Sequence, residues 1–260
     1  MSQYLRDVWK CRYFWLSLVK NDLRARYSRS VIGIGWSLLN PLAMTIVLSV
    51  VFHELFDMNI KEFGLYLLTG ICFWNFVASV VAGGCNCLFQ GEVYIRQFPA
   101  PMAIYPLRTV LSSSFHFLVA LLVVILLRWV LAGFGNLAAL PSLIPALLLL
   151  FVCGWSLALL AGFATAYFPD TKHLTEVLLQ MLYFATPIMY PAQMLRDKRM
   201  GWAVDYNPLA ALVEMLRQPI LNGMKPNVDT FSMATGSVIL IGFVAVTALV
   251  RLQRKIIFQL

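Results

Sequence analysis

Few side chains of this chain have the type and spacing that chemistry requires. Cys85 and Cys87 stand two residues apart, the beginning of a thiolate metal site, but no further ligand follows them at a metal-binding interval. Cys72 and Cys153 fall in apolar runs, Cys11 lies near the N-terminus, and no pair suggests a disulfide. His116 is an imidazole in the middle of an uncharged run, where a proton relay and a hydrogen bond to a neighbouring helix are both open. Arg24, Arg26 and Arg29 form a basic cluster that ends abruptly at the uncharged stretch "GWSLLNPL". The chain has no Gly-x-x-x-x-Gly-Lys-Ser/Thr loop to cradle a nucleotide phosphate, no His-Glu-x-x-His and no Gly-x-Ser-x-Gly. Its apolar runs hold no paired carboxylates and no ionisable chain of the kind that couples transport to protons or ions. Such a chain takes its energy from a partner or moves its cargo downhill.

The elements that carry these residues follow from composition. Of 260 residues, 60% are hydrophobic and 12% charged, with mean hydropathy +0.77. A soluble domain carries about 25% charged residues, so lipid is the solvent for much of this surface. A membrane-spanning helix needs roughly 20 apolar residues. Six runs qualify by the gaps between charges: Val31–Phe52, Leu65–Gln90, Thr109–Leu127, Pro141–Phe168, Val177–Leu195 and Phe231–Val250. They are continuous rather than alternating, so the expected class is an all-α integral membrane protein with six transmembrane helices. Within them Gly154, Ala158, Gly162 and Ala166 recur every fourth residue, a stripe that allows close helix approach. Pro41 is expected to kink or break the first span near its inner end.

Basic residues set the orientation. An inside N-terminus makes internal the seven basic residues before position 30, Arg96 and Arg108, Lys172, and Arg251, Arg254 and Lys255, which is 13 of the 20 lysines and arginines. Both termini are therefore expected in the cytoplasm. The net charge of +8 is read as a topology and membrane-surface signal, since no soluble basic domain suggests nucleic acid. Residues 1–30 form the first unit, with Leu5, Val8, Trp9, Leu16, Val19 and Leu23 at helical spacing among cations. This pattern predicts an amphipathic interface helix on membrane lipid, rather than a cleaved signal peptide. Whether it is a simple anchor or also a docking element stays open at this level. Residues 31–260 form the six-span domain. Its long outer segment, 191–230, contains Asn207-Pro208, an N-cap followed by proline at the first helical position. Leu209, Leu212, Val213 and Leu216 then make an apolar stripe too short to span. A re-entrant outer helix and a loop helix packed on the bundle both fit it. The many aromatics, Trp36, Phe73, Trp74, Tyr183, Phe184 and Tyr190 among them, suit lipid-facing belts and also suit a path for sugars, whose C–H faces pack on rings.

Six segments in order carry a resemblance over the whole chain: "RARYSRSVIGIGWSLLNPL" (Arg24–Leu42), "GICFWNF" (Gly70–Phe76), "IRQFPAPMAIYPL" (Ile95–Leu107), "YFPDTKH" (Tyr167–His173), "FATPIMY" (Phe184–Tyr190) and "YNPLAALVEMLRQPILNG" (Tyr206–Gly223). Together they resemble the membrane (permease) subunit of bacterial ABC transporters that export polysaccharides such as O-antigen, capsule and wall teichoic acid. The chain departs from that pattern at Phe73, where many relatives carry proline, at Pro169, where many carry arginine, and at Ala100-Pro101.

The resemblance implies a homodimer in the bacterial inner membrane, bound to two copies of a cytoplasmic ABC ATPase. ATP and Mg would sit on that partner, with no cofactor or metal in this chain and no catalytic residue. It implies a lipid-linked polysaccharide as cargo, moved through a channel between subunits. It places coupling to the ATPase in the surface helix and in the cytoplasmic connection 91–108, at Arg24, Arg26, Arg96, Phe98, Pro99 and Asp170. It assigns short re-entrant gate helices before the last span, with Asn207, Pro208 and Arg217. The substrate path on this reading is Trp36, Phe73, Trp74, Tyr183, Phe184 and Tyr190. An ABC permease for a lipid or drug shares the architecture. A membrane enzyme acting on lipid-linked sugars is the reading from another class, and the lack of an acidic pair speaks against it.

Overall fold

A computed structural model of the chain describes residues 2–28, 32–97, 100–133, 137–197 and 201–256. Among these residues every regular element is helical. Two short helices, α1 (Ser2–Lys10) and α2 (Arg12–Tyr27), precede the bundle. The long helices are α3 (Trp36–Phe56), α4 (Ile60–Gln97), α5 (Ile104–Ala132), α6 (Leu143–Tyr167) and α11 (Val228–Ile256). Between α6 and α11 lie α7 (Thr171–Ala185), α8 (Ala192–Asp197), α9 (Trp202–Asp205) and α10 (Pro208–Arg217).

Five helical segments are long and apolar enough to cross a membrane: Gly33–Leu55, Ile60–Gln97, Ile104–Leu131, Ala138–Tyr167 and Val228–Gln253. The chain is thus a multi-pass membrane protein. The expected fifth span, Val177–Leu195, is not among these five. Its helix starts earlier, at Thr171, and stops at Ala185. Thr186 is extended (φ −95°, ψ 138°) because Pro187 follows it and disfavours helical backbone at the residue before. Fifteen residues reach only about 22 Å, against roughly 30 Å of hydrocarbon. α4 errs in the other direction. Its 38 residues run well past the apolar core and carry charged ends, Lys61 and Glu62 at one and Glu92 and Arg96 at the other. Pro41 does not break α3, which runs continuously through it. The local irregularity instead precedes the helix, in a 3₁₀ turn at Gly33–Gly35.

α4 is the central helix and packs on α3, α5, α6 and α7. The small-residue stripe of α6 explains how closely α6 and α4 pack. A methyl group at Gly84 of α4 would lie 2.6 Å from the Ala158 Cα, and one at Gly162 would lie 3.0 Å from the Gly84 carbonyl. Two hydrophobic clusters divide the bundle lengthwise. One joins α1 through Val8 to the end of α4 (Ile95), the start of α5 (Ile104, Tyr105), the end of α6 (Ala166) and the end of α11 (Ile256). We call this the basal end. The other contains Phe63, Leu143 and Leu212 and extends to the opposite, apical end. α6 ends at the base, whereas the segment after α7 touches Tyr66 near the apical start of α4. The chain therefore travels from base to apex through α7, short as it is.

Candidate functional site

The apical end is organised around one charge. Arg217, the last residue of α10, is 2% exposed. Its Nη1 donates to the Pro187 carbonyl (2.6 Å), and its Nη2 donates to the carbonyls of Ile188 (3.1 Å) and Tyr66 (3.3 Å). The guanidinium carbon sits 3.5 Å from the centre of the Tyr66 ring. Among the described residues no carboxylate pairs with it, and Nε has no partner. Burying an ion costs several kcal/mol. Here carbonyl dipoles and an aromatic face replace water around the cation. Burial pulls its pKa down from the usual guanidinium value. The Tyr66 hydroxyl lies 3.1 and 3.0 Å from the carbonyls of Pro187 and Tyr190 and donates between them. Gly70, one turn along α4 from Tyr66, makes the room: a methyl group there would lie 2.5 Å from the Arg217 Nη2.

The local backbone puts these groups in place. Asn207 caps α10, its Oδ1 accepting from the Leu209 N–H at 2.9 Å, and Pro208 takes the first helical position. The Asn207 amide also donates to the Thr186 hydroxyl at 3.0 Å, so the cap fixes α10 against the segment after α7. Arg217 is then nine residues along, two and a half turns deeper. A π-helical turn, Gln218–Asn222, and Gly223 at φ 63° lead the chain back towards α11. A cleft of about 630 Å³ opens between α8, α10 and the start of α11, with Tyr66, Glu214, Gln218, Asn227 and Asp229 on its walls. Its lining of amides, carboxylates and a phenol suits hydroxyl-rich molecules. The three residues expected at the outer gate therefore differ in role. Asn207 and Pro208 start a helix at the apical surface, and Arg217 is a buried clamp at its far end.

The aromatic residues expected on a substrate path separate into three groups. Trp74, Tyr183, Phe184 and Tyr190 come together. Trp74 and Tyr183 have ring centres 5.4 Å apart, Tyr183 and Phe184 likewise 5.4 Å, and the Tyr190 hydroxyl donates to the Phe184 carbonyl at 2.6 Å. Phe184 is 60% exposed, at the end of an α7 whose apolar residues Leu174, Val177, Leu178 and Met181 are also exposed. Phe73 has no exposed surface and is enclosed by its own chain. Trp36 is exposed but lines a different cavity, between α3, α4 and α5.

At the base, α1 and α2 fold back on the bundle. The Tyr4 hydroxyl accepts from the Ala103 N–H at 3.2 Å, and burial pushes its pKa above the usual phenol value. The Phe14 and Tyr94 rings meet edge to face at 5.5 Å. Asp22 of α2 accepts two hydrogen bonds from the Arg108 guanidinium of α5. The opposite face of this pair of helices carries exposed Leu5, Trp9, Tyr13 and Leu16, with Arg12 stacked 4.6 Å over the Tyr13 ring. The amphipathic pattern thus has two apolar sides: Val8 and Leu18 seat the helices on the bundle, and the Trp9 side is left outward. Arg24, Arg26, Arg96 and Asp170 all lie at this basal end. Arg24 and Asp170 are exposed, Arg96 pairs with Glu92 at 2.9 Å, and Arg26 lines the cavity beside Trp36. Phe98 and Pro99 lie outside the described residues.

Residues 13–221 match the family model described as ABC-2 type transporter. The chain belongs to that family. This ABC-2 chain is 25% identical to the O-antigen export system permease protein RfbA of Klebsiella pneumoniae over 207 residues, 80% of each chain. It is 23% identical to the protein of the same name from Myxococcus xanthus over 245 residues, 93% of each chain. Over 210 residues it is 20% identical to the polysialic acid transport protein KpsM of Escherichia coli, covering 80% of this chain and 81% of that one. The family match takes in α10 and ends at Leu221, so the Arg217 clamp lies within it.

Two features of the site had little sequence signal. Tyr66 and Gly70 sit in an apolar run, and although Gly70 opens the segment Gly70–Phe76, nothing in the sequence marks their contact with Arg217. Asp22 and Arg108 are 86 positions apart, and each reads as an ordinary surface charge.

Proposed function

We propose that this ABC-2 chain is the membrane subunit of an ATP-driven exporter of lipid-linked polysaccharide in the bacterial inner membrane. Two copies form the channel, two copies of a separate cytoplasmic ABC ATPase drive it, and both termini face the cytoplasm. ATP and Mg are bound by the ATPase. The observation that carries this reading is the family membership, joined to similar relatives named for O-antigen export and polysialic acid transport. The sequence supports the division of labour, since it has no phosphate-binding loop of its own. The exposed apolar face of α7 leaves this helix free for a second subunit, as it does for lipid.

In this scheme the base receives the ATPase through α1, α2 and the connection 91–108. The exposed Phe184 ring, with the half-buried Tyr183 and Tyr190 beside it, offers weak contacts along the path. Stacking holds a sugar without fixing its hydroxyl geometry, which suits a polymer that has to slide. Deleting the gene in its own host and measuring surface polysaccharide tests the reading. Loss of the polymer from the surface, with lipid-linked polymer accumulating inside, is expected. An unchanged surface polymer, or ATP hydrolysis by the purified chain alone, overturns it.

A further inference from the structure

A second cavity lies away from the Phe184 cluster. Where the end of α2 meets the bundle, α3, α4 and α5 part around a space of about 270 Å³. Ser37 and Asn40 of α3, Asn75 and Ser79 of α4, and Ser113 and His116 of α5 line it, and Arg26 reaches it from α2. This is a concentration of polar side chains among helices that are otherwise apolar. Asn40 and Asn75 are both exposed, and neither hydrogen-bonds to any described residue. A carboxamide without a hydrogen-bond partner is costly in a membrane interior, so these two call for a polar occupant. No carboxylate lines the cavity among the described residues, which leaves Arg26 as its single formal charge. Arg26 is exposed and makes no ion pair among the described residues. The surface around the opening is apolar: Trp36 is 57% exposed and Leu39 is 45% exposed.

These features specify an occupant. One guanidinium takes one anionic group, and a phosphate matches its fork of donors. Carboxamides and hydroxyls beside it take neutral hydroxyl, ether or amide groups. An apolar rim takes hydrocarbon tails. We propose that this cavity binds the phosphate head group of a membrane lipid drawn from the basal leaflet, with Arg26 on the phosphate oxygens and Asn40 and Asn75 on the polar substituent next to it. The head group comes either from a bulk glycerophospholipid or from a polyprenyl phosphate carrier, which present the same phosphate ester. The site goes beyond the export reading, since it needs only a chain in a membrane and no particular cargo. It also gives Arg26 a task separate from contact with an ATPase.

The test is native mass spectrometry of the full chain in mild detergent, with three probes: dioctanoyl phosphatidylglycerol, farnesyl phosphate, and dioctanoyl glycerol as the phosphate-free control. At least one phosphate lipid should bind saturably and the control should not. The tighter of the two identifies the source. Arg26→Gln should weaken binding about tenfold or more, the loss expected for a hydrogen bond to a charged group. Asn75→Leu and Asn40→Leu should each weaken it too, with an unchanged gel-filtration profile. Arg12→Gln, which removes a cation on the outward face, should leave binding as it is. Equal binding of dioctanoyl glycerol, wild-type affinity in Arg26→Gln and both asparagine variants, or an equal loss in Arg12→Gln each overturns the proposal. The first outcome would mean lipid binding that does not involve the phosphate, the second binding elsewhere than in this cavity, and the third a diffuse surface charge effect. None of these outcomes bears on export, which surface polysaccharide reports separately.

Discussion

The guanidinium of Arg217 lies over the ring of Tyr66 at 3.5 Å and donates to the carbonyl of the same residue. The two residues are 151 positions apart, yet one group covers both the face and the backbone of the other. Through this contact the end of α10, the Pro187-Ile188 segment and the apical part of α4 are held as one body. Any movement of the apical helices during transport has to keep this clamp or exchange its carbonyls for other acceptors.

Removing the clamp should therefore cost stability rather than a single contact. Arg217→Met keeps much of the volume and leaves the Ile188 carbonyl without a donor, while the Pro187 carbonyl keeps the Tyr66 hydroxyl. A buried acceptor left bare costs about 1–3 kcal/mol, so a loss of that size is expected. Thermal unfolding of the detergent-solubilised protein, followed by tryptophan fluorescence, measures it. Arg217→Lys restores the charge but not the fork and should recover only part. A Met variant as stable as wild type would show that the clamp contributes nothing.

Gly84→Ala tests the seam between α4 and α6. The added methyl has backbone, not a flexible side chain, 2.6 Å away at Ala158. The helices must separate, at a cost of about 1–3 kcal/mol. Gly236→Ala is the control, because nothing lies within 4 Å of a methyl group there. Equal melting temperatures for the two variants would contradict this packing.

Labelling from outside the cell settles how the chain passes through α7. In a cysteine-free background, single cysteines at Lys61, Gln193 and Lys225 should react with an impermeant maleimide. Cysteines at Arg24 and Asp170 should be shielded. The informative pair is Asp170 and Gln193, which flank α7. Reaction at both, or at neither, would mean that this 15-residue helix does not connect the two sides.

The aromatic residues should divide by burial. Phe73→Ala opens a cavity in a closed core and should cost about 3–5 kcal/mol, seen as less folded protein. Phe184→Ala should leave expression near normal and reduce surface polysaccharide. A Phe184 variant that loses folded protein and export in parallel would assign this ring to packing.

The Asp22–Arg108 pair should hold the surface helices to the bundle. Asp22→Asn and Arg108→Gln should each speed trypsin cleavage in α2, where Lys20 and Arg24 offer sites. In a double-mutant cycle the two changes should couple by about 1–3 kcal/mol, as for hydrogen bonds to charged groups. Additive effects would mean the pair is incidental.

The chain by itself determined the solvent, the helical class and the position of most spans. Lipid imposes these rules on short stretches: a helix has to satisfy its own backbone, and its apolar length has to match the bilayer. The cap at Asn207-Pro208 and the α6 stripe were legible for the same reason, because each is a rule about neighbouring residues. Composition placed helix ends less well. α4 exceeds its apolar run at both ends, because hydrogen bonding continues a helix beyond the point where lipid requires it. The run 177–195 contained Pro187, and that single residue stopped α7 at Ala185. Only tertiary structure decided which residues meet. Arg217 is a buried clamp because Gly70 leaves space for it and Tyr66 gives it a ring. Phe73 and Phe184 look alike as aromatic residues in apolar runs. One is enclosed and the other exposed because α4 is surrounded by helices whereas the apolar face of α7 has no cover within the protomer. Contacts between helices depend on their rotation and depth relative to one another, and an almost uniformly apolar segment records neither.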